Sequence, residues 1–266
     1  MGDAPLVSII TIVYNGEKYI ADTIRSIERQ TYRPIEYIIV DGGSTDQTLT
    51  IIRQFGDTVT RLVSEKDEGI SDAFNKGLRL AHGEIIGIIN ADDWYEPDAV
   101  ELAVAAIQGL DIVYGDLRLW KDGQPDFILK GDHHHLHKEM TINHPTVFVR
   151  KECYDRLGLF DNTYKCAMDY DLLLRLLVNN SRFGYIPGVL ANMRWEGMSD
   201  TRWMLGCRET LAIKNKYLPR RRLLNHLYFY KHLVAISTPK FLKKFGLNFL
   251  SRIYRTHFAK VKKVYE

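Results

Sequence analysis

Two hydrophobic patterns take turns along the first 90 residues: unbroken β-branched runs and runs with helical spacing. Leu6 to Val13 (LVSIITIV) predicts a strand buried on both faces, and Tyr14-Asn15-Gly16 punctuates its end. Lys18 to Gln30 carries Ile20, Ile24 and Ile27 on one helical face, and Thr31 to Pro34 ends it. The alternation then repeats. Ile35 to Val40 predicts a second strand, and Asp41 to Asp46 a glycine-rich loop that ends in an N-cap for a helix over Gln47 to Phe55. Arg61 to Ser64 predicts a short third strand, Ile70 to Ala81 a helix that Gly83 stops, and Ile85 to Ile89 a fourth strand. This β-α-β-α-β-α-β order marks an α/β fold with a doubly wound, mostly parallel sheet. Polar strand ends at Tyr14-Asn15, Asp41-Gly42-Gly43 and Asn90 to Asp93 then share one edge and line one cleft.

Further along, the pattern predicts a helix over Asp98 to Gln108, a short strand over Asp111 to Gly115 with Asp116 at its end, and a strand over Thr146 to Val149. A short helix is expected over Lys151 to Leu157 and a strongly apolar one over Asp169 to Asn179, with Asp169 and Asp171 in or beside its first turn. Gly131 to Lys138 reads as an irregular polar loop. Its His133, His134, His135 and His137 are too close in sequence to converge on one ion.

Composition is that of a soluble globular protein, with 45% hydrophobic and 26% charged residues. No run of about 18 apolar residues and no basic leader is present, so neither a spanning helix nor a signal peptide is expected. Three widely spaced cysteines make neither a disulfide framework nor a zinc set, which points to a cytoplasmic setting. Charge changes the picture more. From Lys214 to the end there are 14 basic residues and one acidic residue, which leaves the preceding body at about −10. Within that tail, Phe241, Phe245, Phe249 and Ile253 recur every four residues, with Lys243, Lys244, Arg252 and Arg255 between them. Such a basic amphipathic segment suits an anionic membrane surface, and its helical stripe does not suit nucleic acid.

Neither a G-x-G-x-x-G fingerprint nor a P-loop occurs. Asp92 and Asp93 suit a hard divalent cation, Mn2+ or Mg2+, shared with substrate phosphates, and equally suit a helix start before Pro97. Asp169 suits an N-cap as readily as a cleft-facing acid.

The segments VSIITIVYNGEKYIADTIRSIERQ, IEYIIVDGGSTDQT, EKDEGISDAFNKGLRLAHGEIIGIINADDW and NHPTVFVRKECYDRLGLFD, followed by MDYDLLLRL, resemble glycosyltransferase family 2. That family comprises GT-A-fold, inverting sugar transferases. The resemblance runs from about Leu6 to Leu177. It implies that Tyr14 and Asn15 border the nucleotide, that Asp41 bonds the base, and that Asp72 and Asn75 border the donor pocket. It further implies that Asp92 lies near the ribose, that Asp93 ligates the metal, that His144 lines the acceptor side, and that Asp169 is the general base. Asn90 stands where the metal motif often has an acid, Met168 where the base is often preceded by Glu, and the arginine of many relatives near Lys76 is missing.

The expected activity is transfer of a sugar from a nucleotide-diphosphate donor, UDP-linked by expectation, to a glycan or lipid-linked glycan. The expected place is the inner face of the cell membrane. A non-catalytic sugar-nucleotide-binding scaffold is the alternative. Residues 1–213 form the expected catalytic domain, with a nucleotide half to about 116 and an acceptor half after it, and 214–266 the basic helical tail.

Overall fold

The computed structural model describes residues 4–194 and 202–244. Its first half follows the alternation of patterns. The expected strands form β1 (Val7–Val13), β2 (Ile35–Asp41), β3 (Arg61–Ser64) and β4 (Ile85–Ile88), paired in parallel in the order β3-β2-β1-β4. Between them run α1 (Ile20–Glu28), α2 (Thr48–Arg53) and α3 (Ile70–Leu80). The continuous apolar runs follow from burial on both sides. Ile10, Ile38, Ile86 and Ile88 pack on the face that receives Phe74 and Leu78 of α3. Ile9, Ile39, Ile85 and Ile89 pack on the face that receives Ile20, Ile24 and Ile27 of α1. Gly77 is what lets α3 lie flat on the sheet, since a Cβ there would collide with Ile10 Cγ2.

The second half departs from the simple alternation. Trp94–Tyr95 (β5), Ile112–Lys121 (β6), Gln124–Leu129 (β7), Val147–Arg150 (β8) and Phe183–Arg194 (β9) complete nine strands among the described residues. β8 is antiparallel to both β4 and β6, so β6 runs in the direction of β4 and carries its far end over the same edge. β9 lies parallel to β6, and β5 pairs antiparallel with β9. The sheet is therefore parallel across its first four strands and mixed beyond them. Trp94-Tyr95 belongs to a strand rather than a helix start. The helix expected from Asp98 begins one residue later as α4 (Ala99–Ala106).

α5 (Lys151–Leu157) and α6 (Met168–Val178) lie on the α3 side of the sheet, where Leu172, Leu173 and Leu176 are fully buried. α7 (Trp203–Tyr217) crosses the expected 213/214 boundary, and its Ile213 and Lys214 are buried against the body. A turn at Pro219–Arg221 follows, after which α8 runs from Arg222 to Lys244 straight through Pro239. Of the aromatic stripe expected in the tail, Phe245, Phe249 and Ile253 lie outside the described residues.

Candidate functional site

The carboxyl ends of β1, β2, β3 and β4 meet at one edge, and short polar loops tie them together. Asn15, with φ 49°, donates its backbone N–H to Ser44 Oγ at 2.8 Å and accepts from Thr45 N at 2.9 Å. Between these loops opens a recess of about 300 Å³ lined by Tyr14, Gly42, Gly43, Lys66 and Asp67. The Tyr14 ring is 64% exposed, so an aromatic face stands ready for a planar ligand. A Cβ on Gly42 would meet Asp67 Oδ2, so the glycine leaves room for the Asp67 carboxylate.

Asp41 ends β2 at this edge. It is fully buried, and its carboxylate accepts from Gly43 N at 3.1 Å, Ser44 N at 3.1 Å, Ser64 Oγ at 2.6 Å and the Ser44 hydroxyl. Those bonds fold the loop that walls the recess, and the carboxylate that reaches the recess is that of Asp67. Asn75 is also occupied within the protein: its side chain exchanges hydrogen bonds with Phe160 O and Phe160 N, both at 2.9 Å. Asp72 accepts from Glu68 N at 3.1 Å and pairs with Lys76 at 3.4 Å, and that backbone bond first, then the ammonium, hold its carboxyl below the usual carboxylate range. Lys76 in turn is held by Glu65 at 2.9 Å and Lys66 O at 3.0 Å.

Beside the recess, β4 delivers Asn90 to Asp93, and Ala91 Cβ lies 3.7 Å from where a Gly16 Cβ would stand. Asp92 is partly exposed, whereas Asp93 is 1% exposed. Asp93 Oδ2 accepts from Asn90 Nδ2 at 3.2 Å, and its Oδ1 is buried without a hydrogen-bond partner. Burial, with the neighbouring Asp92 charge adding to it, pushes the Asp93 carboxyl well above the usual carboxylate range. An orphaned anionic oxygen next to a second carboxylate is a donor set that a divalent cation relieves, so the residues fit such an ion. Among the described residues no cluster of three or more His, Cys, Asp or Glu could hold a metal. The histidine loop is no exception. His133 Nδ1 meets the Tyr114 hydroxyl at 2.7 Å, and His135 Nδ1 pairs with Asp132 at 2.5 Å.

Two residues without a sequence signal hold the Asn90–Trp94 turn. Thr23 Oγ1 sits 2.7 Å from Asp93 O and 2.9 Å from Ala91 O. Arg194, at the end of β9, donates to Asp92 O and to Asp22 Oδ2, with its guanidinium 4.2 Å from the Tyr19 ring centre and 4.4 Å from that of Trp94. Only the fold brings a residue 102 positions downstream onto the turn.

Asp169 lies in the first turn of α6. The segment before it is docked on the start of α3, through Ser71 Oγ to Tyr164 O at 3.2 Å and Lys165 Nζ to Glu68 O at 3.2 Å. Since α3 begins at the carboxyl edge of the sheet, these bonds set Asp169 on the same side as the recess. Its carboxyl accepts the N–H of Tyr170 at 2.8 Å, with its own backbone N–H as a second donor. Burial pushes it up to about 6. His144 packs between Phe74 and Phe160, and burial lowers its imidazole to about 4, so it stays neutral near pH 7. The N-terminus of α6 receives a carboxylate from α7: Glu209 accepts from Lys165 N at 2.9 Å, Cys166 N at 2.8 Å and Ala167 N at 2.9 Å.

Residues 8–175 match the family model described as Glycosyl transferase family 2. An uncharacterized glycosyltransferase of Rickettsia typhi is 32% identical over 189 residues, which cover 65% of this chain and 59% of the relative, so the matched stretch is about three fifths of that relative's length. Among solved structures, Staphylococcus aureus TarS 1-349 in complex with UDP-GlcNAc superposes with TM-score 0.65 at 19% identity, covering 89% of this chain and 78% of that one. The mannosyltransferase PcManGT of Pyrobaculum calidifontis, in complex with GDP-Man and Mn2+, gives TM-score 0.65 at 19% identity, with 98% of this chain and 76% of that one covered.

Proposed function

The chain belongs to glycosyl transferase family 2, and on that premise we propose that it is an inverting hexosyltransferase that moves a sugar from a uridine diphosphate donor to a glycan acceptor carried on lipid. The observation that carries this reading is the sharing of one sheet edge by the Tyr14 recess and the Asp92–Asp93 pair, with the Asp169 turn docked on that side. In this reading the base stacks on Tyr14, and Asp67 accepts the single imide N–H of a uracil. Asp67 thus takes the base-reading role that the resemblance gives to Asp41, while Asp41 and Asn75 build the walls. The diphosphate lies toward Asp92 and Asp93. A divalent cation held there, Mn2+ or Mg2+, supplies offset of the charge that grows on the departing diphosphate. Asp169 accepts the proton of the acceptor hydroxyl as that oxygen attacks the anomeric carbon from the side opposite the diphosphate. The glycosidic bond to the diphosphate breaks, the leaving group keeps the electron pair, and the configuration inverts.

A donor screen across uridine, guanosine and thymidine diphosphate sugars tests this. We expect hydrolysis and transfer with uridine donors, weakened in Asp67→Asn. Preference for a guanosine donor overturns the base assignment, and binding without turnover of any donor favours the scaffold alternative.

The lipid-linked acceptor rests on α8. No helix of the described residues is long and apolar enough to cross a membrane. α8 instead presents Leu223, Leu227, Tyr230 and Val234 at helical spacing, each between 57% and 78% exposed, with exposed Arg220, Arg221, Arg222 and Lys231 around them. Apolar insertion plus about 1 kcal/mol per basic residue suits the anionic inner face of a cell membrane. Co-sedimentation with phosphatidylserine vesicles is expected for the whole chain and lost in a Leu223→Asp, Leu227→Asp variant. Equal sedimentation of both removes the membrane reading.

A further inference from the structure

α6 starts without a cap of its own. Ala167 stands at its N-cap and has no side-chain acceptor to offer, and yet Ala167 and Met168 are buried. The first N–H groups of a helix have no intrahelical acceptor, and leaving buried donors unpaired costs stability and order. The acceptor arrives from 42 to 44 residues downstream: both oxygens of Glu209, a residue only 9% exposed, take the N–H groups of Lys165, Cys166 and Ala167. Gly206, one turn earlier on α7, faces Cys166, whose Cβ lies 3.6 Å from where a Gly206 Cβ would stand. One to two turns later Lys216 reaches Asp171 Oδ1 at 3.3 Å and Asp161 Oδ2 at 3.4 Å. α7 therefore grips the Asp161–Asp171 segment at two places, and Asp169 sits between them.

We propose that Glu209 is a positioning residue for the transfer reaction, in that its carboxylate holds the Lys165–Ala167 backbone and so sets where the Asp169 carboxyl stands against the acceptor hydroxyl. The inference rests on the reading of Asp169 as the general base. Glu209 touches neither donor nor acceptor, and it acts through three backbone bonds. Its loss therefore affects the placement of one group while the recess at β1, β2 and β3 keeps its shape. A displacement of about 1 Å at a reacting group costs on the order of 10²-fold in rate.

The experiment compares Glu209→Gln, which keeps the volume but offers one accepting oxygen, with Glu209→Asp, which keeps the charge but draws it back by one methylene. Folding is checked by circular dichroism and melting temperature, and Asp169→Asn is measured in parallel. In the folded variants we expect kcat for transfer to fall about 10²-fold, the donor KM and nucleotide affinity to stay within about twofold, and the acidic limb of the kcat/KM profile to move from its wild-type position near pH 6. Unchanged kcat and pH profile in a folded variant, with Asp169→Asn inactive, overturns the positioning role and leaves the base reading standing. A parallel loss of donor affinity and kcat shows general loosening and also overturns it. Full activity of Asp169→Asn overturns both readings.

Discussion

Asp169→Asn is expected to lower kcat for sugar transfer by about 10²- to 10⁴-fold, the usual contribution of a general base, while nucleotide affinity stays unchanged. The pH dependence follows from the carboxyl's surroundings. Burial raises it to about 6, above the ordinary carboxylate range, and a base works only when deprotonated, so wild-type kcat/KM should fall as pH drops through 6 and level off above it. The same shift has a consequence for stability with the opposite sign. Because the folded state holds this proton more tightly than the unfolded chain, ionising Asp169 weakens the fold as pH rises from about 4 to 6, by no more than about 3 kcal/mol in all. Asparagine carries no charge to bury. The variant should therefore melt higher than wild type at pH 7 and lose that advantage below about pH 4. If Asp169 were instead a cap, Asp169→Ala, which removes the acceptor of the Tyr170 N–H, would melt lower than wild type, whereas asparagine keeps an accepting oxygen there. Inactivity joined to increased stability is the signature of a charge kept for chemistry. Thermal melts and initial rates across pH 4 to 8 measure both, and full activity at pH 7 removes the base assignment.

How far the residue pattern reaches can be judged from particular elements. The strands β1, β2 and β4 are buried on both faces, so their apolar runs are unbroken and their ends are marked by Tyr14, Asp41 and Asn90; position in the sheet is written into local composition. β9 is a strand of twelve residues that local composition hides. Pro187 and Gly188 break its apolar pattern because they lie in a bulge against β6, where Tyr114 pairs with Tyr185 but Asp116 with Val189. The β6–β7 hairpin did have a local signal, Asp122-Gly123, whose φ values of 51° and 75° are those of a tight hairpin turn. The site divides in the same way. Strand-end polar residues mark the cleft, but which carboxylate faces the ligand depends on neighbours far along the chain. Ser44 and Ser64 bond the Asp41 carboxylate, and Asp67 lines the recess. Arg194 and Glu209 act on elements 102 and 42 to 44 residues away, and a distance of that kind leaves no periodicity to read.

Replacing either carboxylate of the Asp92–Asp93 pair should remove cation-dependent transfer, with a loss of about 10²- to 10³-fold or more for Asp93→Asn, comparable to deleting a preorganised charge-stabilising group. The local electrostatics give this prediction a second, non-kinetic arm. Asp93 is buried beside Asp92 with Oδ1 unpartnered, so in the absence of a cation its carboxyl holds a proton well above the usual range. A cation that binds there must displace that proton. Mn2+ affinity should accordingly rise with pH, and binding measured by calorimetry in two buffers of different ionisation enthalpy should release protons. In the proposed clamp Asp92 and Asp93 would hold the cation together with donor diphosphate oxygens, so Mn2+ and UDP should each bind weakly alone and tightly together. Asp93→Asn keeps an oxygen to accept from Asn90 and loses the buried charge; it should fold at least as stably as wild type while losing both the proton release and the mutual tightening. Asp92, the more exposed of the two, provides the discriminating comparison. Retention of mutual tightening in Asp93→Asn and its loss in Asp92→Ala would move the ligand role to Asp92. Retention in both would mean that the clamp is not at this strand end.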